Sequence, residues 1–118
     1  MSYNEIAERE KENTDRVFLY VEGERLAAYE LSAFVIGQLF PHLHLYVSLN
    51  PECPLKLLKV TLPFDWVLES TMYPLAVSDD FAEMTFPEMP ESTRSTWRNE
   101  FEDYKREFLG INKMLCNK

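Results

Sequence analysis

Val17-Phe18-Leu19-Tyr20-Val21 is a β-branched and aromatic run that breaks at Gly23 and resumes as Leu26-Ala27-Ala28-Tyr29-Glu30. From Leu31 to Phe40 the residues Ala33, Phe34, Val35, Ile36, Leu39 and Phe40 are apolar almost all round a helix, and Pro41 stops it. The first two runs carry strand formers on either side of a glycine turn, and the third carries the pattern of a helix buried against a sheet. The stretch therefore predicts a hairpin followed by a helix, and Pro41 disfavours helical geometry at the residue before it.

Upstream, Ser2 and Glu5 have capping-box spacing, Tyr3, Ile6 and Ala7 share one face, and Glu8, Arg9, Glu10, Lys11 and Glu12 are expected to point outward. That predicts a short helix over residues 2–13. Downstream, His42 to Leu49 alternates, with Leu43, Leu45, Val47 and Leu49 on one face and His42, His44, Tyr46 and Ser48 on the other. It predicts a half-buried strand. After a turn at Asn50 to Pro54, Leu58, Val60 and Leu62 form the inward face of a further strand that ends at Pro63. Asp65 can cap a short helix from Trp66 to Met72, and Leu75 to Ser78 and Phe81 to Phe86 are two shorter strands. Ser92 or Thr93 then caps a last helix on which Trp97, Phe101, Tyr104 and Phe108 recur at spacings of four, three and four, with Gly110 as its C-terminal stop and residues 111–118 as a loose tail. The expected fold is α+β, one domain over residues 1–118. Its order is α-β-β-α-β-β-α-β-(β)-α, with a mixed or mostly antiparallel sheet and helices packed on it.

A chain of 118 residues that is 46% apolar and 14% aromatic has the composition of an ordered domain. Folding at that size buries roughly two-thirds of the unfolded surface. No apolar stretch is long enough to cross a membrane as a helix, and the N-terminus lacks the basic-then-apolar pattern of an export signal, so a cytoplasmic protein is expected. Cys53 and Cys116 match no metal or disulfide spacing and read as ordinary thiols. The net charge of −8 is concentrated: between Lys59 and Arg94 there is no lysine or arginine, while Asp65, Glu69, Asp79, Asp80, Glu83, Glu88 and Glu91 are all acidic. Duplex DNA is held mainly by cations that neutralise phosphates, so strong independent DNA binding is not expected and a basic protein partner is.

The hairpin with its glycine turn, the Tyr29-to-Ala33 entry into the helix, and Val60-Thr61-Leu62-Pro63-Phe64 followed by Val67 together resemble the N-terminal, mismatch-recognition domain of MutS-type DNA repair proteins, over residues 17–68. The resemblance implies that scaffold alone. Where the family has a phenylalanine to wedge beside a mispaired base and a glutamate to accept a hydrogen bond from it, this chain has Arg25 and Ala27. Arg25 can meet a phosphate; Ala27 can read nothing. No phosphate-cradling loop accompanies the domain.

His42 and His44 lie two residues apart, as in some metal sites, but a metal needs a third ligand and the chain has no further histidine, so solvent-face histidines are expected. Asp79, Asp80 and Glu83 lack the register of a calcium loop and read as a solvated acidic surface able to meet a basic partner. Phe81, Met84, Phe86 and Met89, interleaved with acids, are a second contact candidate. No serine or cysteine has a nucleophile context, and no pattern identifies a cofactor, a metal or a small-molecule substrate. The expected function is a non-enzymatic accessory or interaction module on a MutS-like scaffold, with any nucleic-acid association passing through a partner. The alternative is an acidic inhibitor or immunity-type protein that occupies a basic site.

Overall fold

In the computed structural model, which describes residues 3–50, 53–63, 65, 73–78, 81–86 and 89–116, the hairpin is the centre of a six-stranded antiparallel sheet. Helix α1 (Tyr3–Glu12) leads into strands β1 (Val17–Glu22) and β2 (Arg25–Tyr29), then helix α2 (Leu31–Leu39). Strands β3 (Tyr46–Asn50), β4 (Cys53–Pro63), β5 (Leu75–Val77) and β6 (Ala82–Met84) follow, then a single turn α3 (Glu91–Arg94) and the long helix α4 (Trp97–Cys116). The strand order is β3-β4-β2-β1-β6-β5, so the two halves of the hairpin are the middle strands. The helix expected over residues 66–72 lies outside the described residues.

Gly23 holds a left-handed φ of 62°, which closes the two-residue turn that sets Glu22 opposite Arg25. Nothing lies within 4 Å of where a Cβ at Gly23 would stand. Gly23→Ala should therefore cost about 1 kcal/mol through backbone strain alone, read as a shifted urea midpoint with an unchanged slope.

Strand alternation divides the sheet into two buried faces. Val17, Leu19, Leu26, Ala28, Leu58, Val60, Leu62 and Met84 point to one face and pack beneath α2 and α4 through Leu31, Phe34, Val35, Trp97 and Phe101. Phe18, Tyr20, Ala27, Tyr29 and Leu57 point to the other, where Ile6 and Ala7 of α1 and Phe81 cover them. The sheet is thus sandwiched, thickly on the α2/α4 side and thinly on the α1 side. The inward phase of β4 is the expected one. Lys59, expected outward, has a largely buried side chain and pairs with Glu22 at 2.6 Å on the α1 side.

Three boundaries differ from expectation. The alternation beginning at His42 predicts a strand, but the ladder starts only at Tyr46. The chain leaves α2 in a turn closed by the Leu43 amide on the Phe40 carbonyl, and Leu45 then seats over Gly37, where a Cβ would stand 3.1 Å from its Cδ1. Leu43 and Leu45 still pack against the core, so the alternation records burial without strand pairing. The last helix begins at Trp97, after the separate α3 turn. Pro90 precedes α3 and no side chain caps it, so neither Ser92 nor Thr93 serves as expected. Finally, α4 passes through Gly110 to Cys116 and does not stop there.

Candidate functional site

Helix α1 has a groove on each side, and both are built from charged residues that the sheet holds in unusual places. Glu10 is 1% exposed, although it sits in a run of charges expected to face water. It lies one turn beyond Ile6 and three residues beyond Ala7, which fixes it on the buried stripe. The Ser32 amide donates to its Oε1 at 3.1 Å, the Asn13 Nδ2 to the same oxygen at 3.2 Å, and the Ser32 hydroxyl to Oε2 at 2.7 Å. Ser32 Oγ in turn accepts the Phe18 amide at 2.8 Å, and the Asn13 Oδ1 accepts the Arg16 amide at 2.8 Å. One carboxylate thus ties α1 to the start of α2 and to β1. Burial pushes its pKa up to about 7, against the lowering effect of its hydrogen bonds to Ser32 and Asn13.

Glu30 joins β2 to α2 with φ 52° and ψ −122°, and it is the one non-glycine at positive φ among the described residues. Such a conformation costs on the order of 1–3 kcal/mol and persists where its surroundings impose it. Here the Glu30 amide donates to the Leu58 carbonyl at 2.7 Å and the Glu30 carbonyl accepts the Phe34 amide at 2.9 Å, so strand pairing and the first helical turn together hold the bend. The side chain is buried beneath α4. Oε1 pairs with the Lys105 ammonium, while Oε2 has no hydrogen-bond partner. Burial raises the Glu30 pKa and the Lys105 contact opposes the rise. Glu10 and Glu30 both line a cleft of about 570 Å³ between α1 and α4, with Leu57, Phe101, Arg98 and Lys105 on its walls. Arg98 donates to the carbonyls of Glu10 at 2.9 Å and Asn13 at 3.1 Å, which satisfies the C-terminal end of α1.

On the opposite flank of α1 a groove of about 630 Å³ is lined by Glu5, Glu8, Glu12 and Asp15, with Arg9 and Arg16. Both arginines are engaged elsewhere. The Arg9 guanidinium lies 3.9 Å from the centroid of the Phe81 ring and donates to the Tyr20 hydroxyl at 3.5 Å, and Arg16 pairs with Glu83 at 3.7 Å. Asp15 pairs with Arg94 at 3.8 Å, and the Arg16 side chain stays 64% exposed, so the exposed acidic part of the lining is Glu5, Glu8 and Glu12.

The residues singled out from the sequence fall apart in space. Arg25 is exposed at the start of β2, opposite Pro63 and beside Asp65. Ala27 is fully buried under α1. His42 and His44 are exposed on the loop before β3, where His42 meets the Phe40 ring edge-on at 6.5 Å. Glu83 is half-buried on β6 and bound to Arg16, while Asp79 and Asp80 lie outside the described residues. Met84 and Phe86, expected at a contact surface, are core residues, and Met89 packs against the same core. Among the described residues no group of three His, Cys, Asp or Glu could hold a metal ion, and no helix is long and apolar enough to cross a membrane. The two buried glutamates were missed. Glu10 could have been found from its phase with Ile6 and Ala7, whereas the bend at Glu30 depends on pairing with a strand nearly thirty residues away.

No protein-family model, curated protein or solved structure matches the chain.

Proposed function

We propose that the chain is a non-enzymatic, cytoplasmic interaction module that receives a basic surface of a partner protein along α1. The observation that carries this reading is the run of Glu5, Glu8 and Glu12 along the groove, where Arg9 is turned onto Phe81 and Tyr20, Arg16 pairs with Glu83, and Asp15 pairs with Arg94. Opposite charge on a groove of this kind speeds encounter and sets the orientation of a basic segment. The net charge of −8 favours the same class of partner and disfavours phosphate backbones. The MutS-type resemblance fits a module placed beside a nucleic-acid-bound protein, because an exposed Arg25 and a buried Ala27 leave no ring or carboxylate to probe a base.

Titration with an oligolysine peptide tests the reading. The wild-type chain should bind saturably and lose affinity as salt rises, since exposed charge pairs are screened over about 10 Å at 0.1 M salt. The triple variant Glu5→Lys, Glu8→Lys, Glu12→Lys should bind at least tenfold more weakly while keeping its circular dichroism spectrum, because exposed charges contribute little to stability. Equal binding by the two proteins would refute the groove.

A further inference from the structure

The contact between Glu30 and Lys105 has the form of a receptor occupied by its own chain. Lys105 reaches from α4 into the cleft with its ammonium 5.9 Å from the centroid of the Phe101 ring, and it ends on the carboxylate of Glu30, whose side chain is 10% exposed. An aromatic wall beside a buried carboxylate is what a cation on an apolar stem requires. The fit is incomplete: the ammonium meets Oε1, and Oε2 remains buried without a donor. Buried acceptors are almost always satisfied, and one left over calls for an explanation, a donor from outside the chain among them. A guanidinium carries two parallel N–H groups that engage both oxygens of one carboxylate, which a single ammonium does not. The backbone at Glu30 is held in a strained left-handed conformation that places this carboxylate under α4, and such strain also concentrates at binding sites.

We infer that the cleft between α1 and α4 is an arginine-binding site for the basic partner, in which Lys105 is an internal stand-in that the partner's guanidinium displaces. The inference rests on the proposed basic partner and deepens it by naming the anchoring side chain. Leu57 and Ala7 offer the apolar wall for the arginine stem. Of the cleft's other cations, Arg98 is held by the Glu10 and Asn13 carbonyls and Glu102, and Arg106 pairs with Asp103 at 3.6 Å, while Lys11 lies at the rim with Glu8, which lines both grooves.

The probe is N-acetyl-arginine N-methylamide, followed through the backbone amide signals of Glu30 and Phe101, with the N-acetyl-citrulline analogue as an uncharged isostere. Lys105→Met removes the competing ammonium and should bind the arginine probe at least tenfold more tightly than wild type. Glu30→Gln combined with Lys105→Met should abolish the response, and the citrulline analogue should give none. If Lys105→Met is too unstable to titrate, its melting temperature should rise with the arginine probe and not with citrulline. Binding no tighter than wild type, an equal citrulline response, or no such rise would overturn the inference. Glu5 and Glu12 line the acidic groove and not the cleft, so oligolysine binding that depends on these two without an arginine response removes the anchor alone, and the reverse result removes the groove alone.

Discussion

Trp97→Ala should lower the stability of the domain by about 3–5 kcal/mol, a large fraction of the roughly 5–15 kcal/mol that holds a domain folded. The indole is 6% exposed at the first turn of α4 and meets Phe86 edge-on at 5.3 Å, and Phe86 meets Tyr73 at a 59° tilt at the same separation. Removing the ring leaves a cavity where α4, the β6 exit and the Tyr73 segment converge. No small side chain refills it. Denaturant melts measure the effect; a loss below about 1 kcal/mol with an unchanged fold would mean that the α4 stripe does not hold the core together.

Stability should also fall as pH rises from about 4.5 to about 7, because of Glu10. Its folded-state pKa of about 7 lies above the value of 4.5 for an unburied glutamate, so the folded state binds the proton more tightly than the unfolded state does. The contribution is fully present below 4.5, declines through the window and is lost above 7, amounting to about 3 kcal/mol at 1.4 kcal/mol per unit. Glu30 is raised as well and acts in the same direction. Glu10→Gln keeps an acceptor for the Ser32 and Asn13 donors and offers its amide to the Ser32 hydroxyl, without a charge to bury. The stability of this variant relative to wild type should climb by about 3 kcal/mol between pH 4.5 and 8, measured by urea melts at each pH. A flat difference would mean that Glu10 is as well solvated by its hydrogen bonds as by water.

Where local periodicity and burial agree, the fold was legible in the residues. The β1–β2 hairpin, α2, the phase of β4 and the inward stripe of α4 all follow from spacing, because each buries the apolar face its period defines. Legibility ended where a polar residue occupies an apolar phase or where a distant segment sets the backbone. Glu10 belongs to the first kind: five consecutive charged residues suggest a solvated face, yet the phase of Ile6 and Ala7 puts Glu10 inside, and Ser32, twenty-two residues on, supplies its donors. Glu30 belongs to the second, since its φ is imposed by Leu58 and Phe34 and its side chain is held by Lys105. Gly110 misled in the opposite sense. A glycine inside a helix costs about 1 kcal/mol and commonly marks its end, but α4 continues for a further turn and a half. The acidity behind the proposed basic partner did not say where such a partner would sit, because the groove beside α1 is lined in part by the loop at residues 13–16.

The central claim is that α1 and its flanking grooves receive a basic protein segment and that the chain does not itself read DNA. Backbone NMR mapping in about 100 mM salt tests it most directly, with an arginine- and lysine-rich peptide titrated first and a duplex carrying one mismatch titrated second. Peptide-induced shifts should cluster on residues 4–16 and on the Glu30 and Phe101 amides, and the duplex should bind weakly with no preference over its matched counterpart. Sub-micromolar duplex binding with a preference for the mismatch, or peptide shifts confined to the His42, His44 and Tyr46 side of the sheet, would contradict the account.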